Sequence, residues 1–228
     1  MKSHPIFARA WDLLMRLAPP HEKRNRSELV SRAAGRVLEV GAGTGVNFVR
    51  YRDASLVVAV EPEPTMARKA RRRAAEATAP VRVLRGVAET LPFADGVFDT
   101  IVACNVLCSV VDPARAAAEL RRVLRPRGAI RVYEHVRSLS PRAGRFQDLI
   151  QPLWSGVAAG CHPNRDPVAV LRGAGFVVRY RRVSVGPLSP VRPHVLGTAR
   201  VGGSGGVARP KRGSRGARRR ADPPDRTG

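Results

Sequence analysis

Short apolar runs alternate with longer helical segments over the central part of the chain, from Gly35 to about Ala199. The strand-like runs, which are rich in β-branched residues, are 36–40, 56–60, 81–84, 100–103, 129–133, 176–183 and 194–199. Segments 64–77 and 113–124 are rich in Ala, Arg and Leu and predict helices between the strands. This alternation predicts an α/β fold, in which helices cover both faces of a mostly parallel sheet.

The segments on either side of this domain have a different pattern. In residues 1–34, apolar positions such as Ile6, Leu13 and Leu17 fall on one helical face, and Pro19-Pro20 separates this helix from a second short one. Residues 200–228 are rich in Gly, Arg, Pro and Ser, which predicts a disordered tail. We therefore divide the chain into cap helices (1–34), the α/β domain (35–199) and a basic tail (200–228).

A glycine-rich turn follows the first predicted strand. Its sequence, Gly41-Ala-Gly43-Thr-Gly45, suits a cofactor that lies against bare backbone. Sixteen residues later, Glu61 ends the second strand, where a carboxylate can accept hydrogen bonds from ribose hydroxyls. Dinucleotide sites and S-adenosylmethionine sites share this arrangement. A dinucleotide site requires glycine at position 46, where this chain has Val46, so the spacing favours S-adenosylmethionine.

Four segments carry a resemblance to a known family: VLEVGAGTG (37–45), VVAVEPEPTM (57–66), GVAETLPFADGVFDTIVACNVL (86–107) and ELRRVLRPRGAIRVYEH (119–135). The chain resembles the class I S-adenosylmethionine-dependent methyltransferases. This resemblance implies a Rossmann-like sheet of seven strands, the last of them antiparallel, and a cofactor over the carboxyl ends of the first strands.

The resemblance also assigns the residues that would bind S-adenosylmethionine. They are Glu39, Gly41, Gly43, Gly45, Glu61, Pro62, Met66, Ala88, Glu89 and Asn105. Pro62 and Met66 would border the adenine, and Ala88 and Glu89 belong to the segment that meets the adenine ring. Val87 stands where many relatives have Asp, so backbone amides are expected to bind the adenine amino group instead.

The second half of the chain is similar to a narrower subgroup. This subgroup includes membrane-associated thiol S-methyltransferases of animals and uncharacterised bacterial proteins. The matching residues are Glu134-His135-Val136, Gln147-Asp148, Pro152-x-Trp154, Gly160-Cys161, Arg165-Asp166, Ala174-Gly175-Phe176 and Arg192-Pro193-His194. The hydrophobic N-terminal anchor of the animal proteins has no counterpart here, and a cytoplasmic protein is expected.

The residues nearest the reaction follow from the same resemblance. Asn105 would lie near the sulfonium and the incoming acceptor, or is simply a turn residue. His135 is the candidate that helps a thiol acceptor lose its proton, or it only caps the end of the fifth strand. Phe7, Trp11 and Trp154 would line the acceptor pocket, or they are core aromatics. We expect methyl transfer to a small-molecule acceptor: a thiol, another heteroatom or a lipid headgroup.

The net charge of +23 raises one alternative, a nucleic-acid-binding methyltransferase. Only four of the 41 basic residues are lysine and alanine is abundant, which indicates a GC-rich, bacterial genome rather than a selected basic surface. The tail could touch nucleic acid or an anionic membrane. Cys161-His162 lacks two further ligands at a suitable spacing, so no metal is expected. The oligomeric state is not indicated by the sequence.

Overall fold

The computed structural model describes residues 5–184 and 193–202, and only the backbone of residues 5–9, 16 and 184. The predicted contacts of the tail therefore lie almost entirely outside the described residues. The strands are β1 (Gly35–Val40), β2 (Ala54–Val60), β3 (Val81–Leu84), β4 (Phe98–Cys104), β5 (Leu124–His135), β6 (Phe176–Ser184) and β7 (Pro193–Val201). The α-helices are α1 (Pro5–Arg16), α2 (Pro20–Val30), α3 (Pro64–Ala74), α4 (Pro113–Val123), α5 (Pro141–Val157) and α6 (Pro167–Gly173).

The strands form one sheet in the order β3-β2-β1-β4-β5-β7-β6. Strands β1 to β5 are parallel, whereas β7 is antiparallel to both β5 and β6. Chain order reverses between β1 and β4, and at such a switch point the loops after the two strands separate and leave a crevice. The seven-stranded, mostly parallel sheet predicted from the sequence is confirmed.

Helices cover both faces of the sheet because successive strand side chains point to opposite sides. One face, with Leu38 and Ile130, packs against α4 and α6 through Leu120 and Leu171. The other face packs against α2 and α3. The central strands are buried on both faces, which explains why they are almost uniformly apolar.

Helix α1 does not bury the whole apolar face that its sequence pattern predicts. Its apolar side chains Leu13 and Leu14 are exposed. The helix is attached instead by a polar contact, in which Asp12 pairs with Lys69 at 2.5 Å and with Arg73 at 3.1 Å on α3. Over the described ranges, none of the helices combines the length and the apolar content that crossing a membrane would require.

Candidate active site

The glycine turn after β1 requires glycine for two separate reasons. Gly41, Gly43 and Gly45 have φ values of 62°, 58° and 80°, in the left-handed region that other residues avoid. A Cβ at Gly41 would lie 2.4 Å from Cγ2 of Val106, and one at Gly45 would lie 2.6 Å from the Phe48 ring. At Gly43 the nearest atom to such a Cβ is Nε1 of Trp11, at 3.9 Å. The turn is thus tightly packed at Gly41 and at Gly45. It is open at Gly43, which lies under Trp11 of α1.

Glu61 lies at the carboxyl end of β2 and faces this turn. One carboxylate oxygen accepts a hydrogen bond from the amide of Gly43 at 2.8 Å, and the other from the amide of Glu63 at 2.9 Å. Burial raises the pKa of Glu61. Met66 is buried nearby, at the start of α3. The structure therefore brings Glu61 and the glycine turn together as the sequence predicted.

Glu39, the acidic residue before the glycine turn, is hydrogen-bonded to the segment that follows the turn. Its carboxylate is buried and accepts hydrogen bonds from Nδ2 of Asn47 and from the Tyr51 hydroxyl, each at 2.8 Å. Burial raises the pKa of Glu39 to about 7. Both oxygens are occupied by the segment after the glycine turn, so this side chain holds the turn from behind.

The residues predicted to lie beside the adenine differ in their surroundings. Ala88 is buried in the core, and Pro62 is half-buried after β2. The Glu89 carboxylate accepts hydrogen bonds from the amides of Val111 and Asp112, at 2.8 and 3.3 Å, and so connects two loops. The backbone carbonyl of Glu89 accepts a further hydrogen bond from Nε of Arg115 at 3.0 Å.

Arg26 of α2 is a buried cation that the sequence did not single out. Its Nε donates to Glu22 at 2.8 Å, and its Nη1 lies 3.2 Å from the sulfur of Cys104, where β4 ends. The guanidinium also lies 5.9 Å from the Trp11 ring. Its Nη2 is buried and has no hydrogen-bond partner within the described residues. A buried donor without a partner is costly, so this atom is available to a hydrogen-bond acceptor, and a carboxylate is the acceptor that a guanidinium binds most strongly.

Asn105 provides a second unpaired atom at the crevice. It follows β4 with a φ of 54°, and its amide donates to the carbonyl of Tyr133 at 2.8 Å. Its side-chain oxygen is buried and accepts nothing from the part of the chain that is described. Together, the Asn105 acceptor and the Arg26 donor fit a ligand that carries both an ammonium and a carboxylate.

Glu134 and His135 end β5 beside this position. Glu134 is fully buried and accepts hydrogen bonds from the amides of Val106 and Leu107, at 2.8 and 3.1 Å. Burial raises the pKa of Glu134 to about 6. The neighbouring His135 is also buried, and its Nε2 lies 3.0 Å from the sulfur of Cys161. Glu134 thus holds the loop after β4, and His135 lies beside Cys108 of the same loop and Cys161 of a distant segment.

The three predicted pocket aromatics are not equivalent. Trp11 lies over the glycine turn, where Nε1 is the nearest atom to a Cβ placed at Gly43. Trp154, in α5, donates from Nε1 to the Cys161 sulfur at 3.2 Å and therefore belongs with His135. Phe7 is in α1, but its side chain lies outside the described residues.

A sheet switch point, a glycine turn with a carboxylate at the end of the second strand, and unpaired polar atoms beside them are the arrangement expected of an S-adenosylmethionine site. Comparison with known proteins agrees. A family model described as "Methyltransferase domain" matches residues 38–132. Human thiol S-methyltransferase TMT1B is 31% identical over 219 residues, which cover 86% of this chain and 87% of that protein.

The chain therefore belongs to the S-adenosylmethionine-dependent methyltransferases, in the family that includes the thiol S-methyltransferases. Phosphatidylethanolamine N-methyltransferase of Cereibacter sphaeroides is 35% identical over 115 residues, 50% of this chain and 57% of that one. An S-adenosylmethionine-dependent methyltransferase of Thermotoga maritima superimposes with a TM-score of 0.60 at 25% identity, over 86% of this chain and 96% of that one. These relatives lend no support to the nucleic-acid alternative.

Proposed function

We propose that the protein transfers the methyl group of S-adenosylmethionine to the sulfur of a small thiol. We choose a thiol among the possible acceptors because of how much of the chain each relative matches. The family model stops at residue 132, but the similarity to human thiol S-methyltransferase spans 86% of the chain and so includes the acceptor side. The similarity to the phosphatidylethanolamine enzyme spans 50% of the chain.

The cofactor would be held by the groups that the crevice presents. Glu61 would bind the ribose hydroxyls, and the open middle of the glycine turn would accommodate the cofactor against the backbone. Arg26 Nη2 would bind the methionine carboxylate, and the Asn105 oxygen would accept from its ammonium. When bound, S-adenosylmethionine supplies a methyl group activated by the positive sulfonium.

The protein's own task is then to align the acceptor and exclude water. A thiol of pKa ~8.5 is already a few per cent thiolate at neutral pH, so little help with deprotonation is needed. We assign that help to His135, next to the loop that carries Asn105. Trp11 and Trp154 would border the pocket, with Phe7 on the same helix as Trp11.

The identity of the acceptor is tested with matched compounds that differ only in the reacting group. The chain is incubated with methyl-labelled cofactor and either thiophenol, phenol or aniline, and in parallel with phosphatidylethanolamine vesicles or with RNA. We expect labelled methyl thioether from thiophenol, formed at least tenfold faster than any oxygen- or nitrogen-methylated product. Faster labelling of the vesicles, the amine or the RNA would overturn the thiol assignment while leaving the methyltransferase assignment intact.

A further inference from the structure

Cys108, His135 and Cys161 come from three distant segments and meet beside the β4 loop. One ligand-type atom from each residue lies within 4.8 Å of the others. The main chains of the two cysteine segments are joined, because the amide of His162 donates to the carbonyl of Cys108 at 2.9 Å. The two thiols are therefore held next to each other by the backbone as well as by their side chains.

The Cys161 sulfur receives several hydrogen-bond donors. Nε2 of His135 lies 3.0 Å away and the indole N–H of Trp154 lies 3.2 Å away. The Cys108 sulfur lies within 4.8 Å of it. The interaction with Cys108 and the hydrogen bonds of His135 and Trp154 lower the pKa of Cys161. The interaction with Cys161, together with burial, raises the pKa of Cys108. The two thiols also differ in solvent access, because Cys161 is half-buried and Cys108 is buried.

A metal ion is the competing explanation for two cysteines and one histidine. In a tetrahedral zinc site, bonds of ~2.3 Å to sulfur and ~2.0 Å to nitrogen place the two ligand atoms about 3.5 Å apart. The 3.0 Å contact between His135 and Cys161 is shorter and is that of a hydrogen bond. The Trp154 N–H also points to the same sulfur and cannot coordinate a cation. The geometry therefore favours a hydrogen-bonded thiolate.

We propose that Cys161 and Cys108 are a reactive dithiol pair that reduces small disulfides, with Cys161 as the nucleophile and Cys108 as the resolving thiol. The Cys161 thiolate attacks one sulfur of the disulfide R–S–S–R, which forms a mixed disulfide and releases one RS⁻. Cys108 then loses its proton and attacks the Cys161 sulfur, which releases the second RS⁻ and leaves a Cys108–Cys161 disulfide. The small disulfide is the oxidant, and it accepts both electrons.

This chemistry goes beyond methyl transfer and does not depend on it. The half-buried Cys161 receives the reagent, whereas the buried Cys108 is reached only through Cys161. Cys104 is the natural control, because it is buried next to Arg26 and is not part of the cluster. All reactions can be followed on the full chain without cofactor or acceptor.

The experiment treats the reduced chain with Ellman's reagent, an aromatic disulfide, and counts the thiolate released. Wild type and Cys104→Ser should rapidly release two equivalents and retain no adduct. Cys108→Ser should release one and keep the adduct on Cys161, located by peptide mass spectrometry. Cys161→Ser should lack the fast phase. Mapping of the wild-type disulfide alone still tests the pairing if a variant does not fold.

The pH profile separates a stabilised thiolate from an ordinary one. The fast rate should change less than about twofold between pH 5 and pH 7, whereas the rate of a free thiol rises about tenfold per pH unit. His135→Asn should make the rate depend more steeply on pH. A stable mixed disulfide in wild type, a rate with the pH profile of a free thiol, or one tightly bound zinc that blocks the reaction until it is chelated would each overturn the proposal.

Discussion

Replacing Glu134 by glutamine should change how the stability of the protein depends on pH. Glu134 is fully buried, and one of its carboxylate oxygens accepts the amide hydrogens of Val106 and Leu107. Its other oxygen has no partner among the described residues. The carbonyl oxygen of glutamine can accept the same two hydrogen bonds without a charge, so the variant should keep the loop after β4 in place.

The magnitude follows from the pKa of this carboxyl. Burial raises it from 4.5 to about 6, a difference equivalent to about 2 kcal/mol. Because the native state binds the proton more tightly than the unfolded chain, this stability is present in full below about pH 4.5 and is lost as the pH rises through about 6. Glutamine does not ionise, so the Glu134→Gln variant does not lose this stability as the pH rises. The free energy of unfolding of the variant, relative to wild type, should therefore increase by about 2 kcal/mol from about pH 4 to pH 8.

Urea unfolding of both proteins at several pH values measures this difference. About 1 kcal/mol of the relative gain should lie between about pH 5 and pH 8, where acid unfolding does not interfere. Glu76→Gln removes an exposed carboxylate and should leave the wild-type curve unchanged. Parallel curves for wild type and Glu134→Gln would refute the reasoning, because they would mean that Glu134 titrates no differently in the native state.

Three further changes test the cofactor side of the crevice. Glu61→Ala should weaken binding of S-adenosylhomocysteine by roughly 1.5–3 kcal/mol, measured by calorimetry, because the ribose loses a charged hydrogen-bond partner. Arg26→Lys keeps the charge but loses the planar guanidinium, and it should weaken the same binding about tenfold or more. Gly41→Ala should lower the free energy of unfolding by about 1–3 kcal/mol beyond the cost of its positive φ, because the new Cβ meets Val106.

Each change has a matched control in the same chain. Glu76→Ala removes an exposed carboxylate after α3 and should leave the affinity unchanged. Arg24→Lys alters an exposed arginine of the helix that carries Arg26 and should do the same. Gly96 has a φ of 62° with nothing within 4 Å of a Cβ, so Gly96→Ala measures the backbone strain alone. Equal stabilities of the two glycine variants would show that the contact with Val106 is not restrictive.

The strands and the cofactor turn could be predicted because their signals are local. A strand buried on both faces is apolar along its length, so β1, β2 and β4 were predicted within two residues of their observed bounds. The edge strand β3 was predicted at its observed bounds from its β-branched residues, and β5 begins five residues earlier than predicted. The turn with Gly41 and the carboxylate of Glu61 were also marked by residue types that the local backbone requires. These elements needed no knowledge of what packs against them.

The remaining site residues depend on contacts between distant segments. Arg26 is one of many arginines, and only the packing of α2 against the strand ends buries it. Cys108 and Cys161 are far apart in the sequence, and the backbone bond that joins their segments has no local signature. Helix α5 was not predicted, although Phe146, Leu149, Leu153 and Val157 recur at helical spacing; it contains Pro152, and the structure leaves these four side chains exposed. These features arise from tertiary contacts, and the spacing of apolar residues along the sequence does not predict such contacts.

The last three residues of β5 contact three parts of the site that were predicted independently of one another. Three consecutive residues serve three different neighbours: Tyr133 donates to the α2 carboxylate that binds Arg26, Glu134 holds the β4 loop, and His135 contacts Cys161. Because β5 is paired on both sides, with β4 and with β7, none of these positions can shift alone. Arg26 of α2, the loop after β4 and the cluster of Cys108, His135 and Cys161 therefore share one rigid support. A change at Glu134 that moves the β4 loop should consequently alter both cofactor affinity and the reactivity of Cys161, whereas a change confined to the surface of α5 should alter neither.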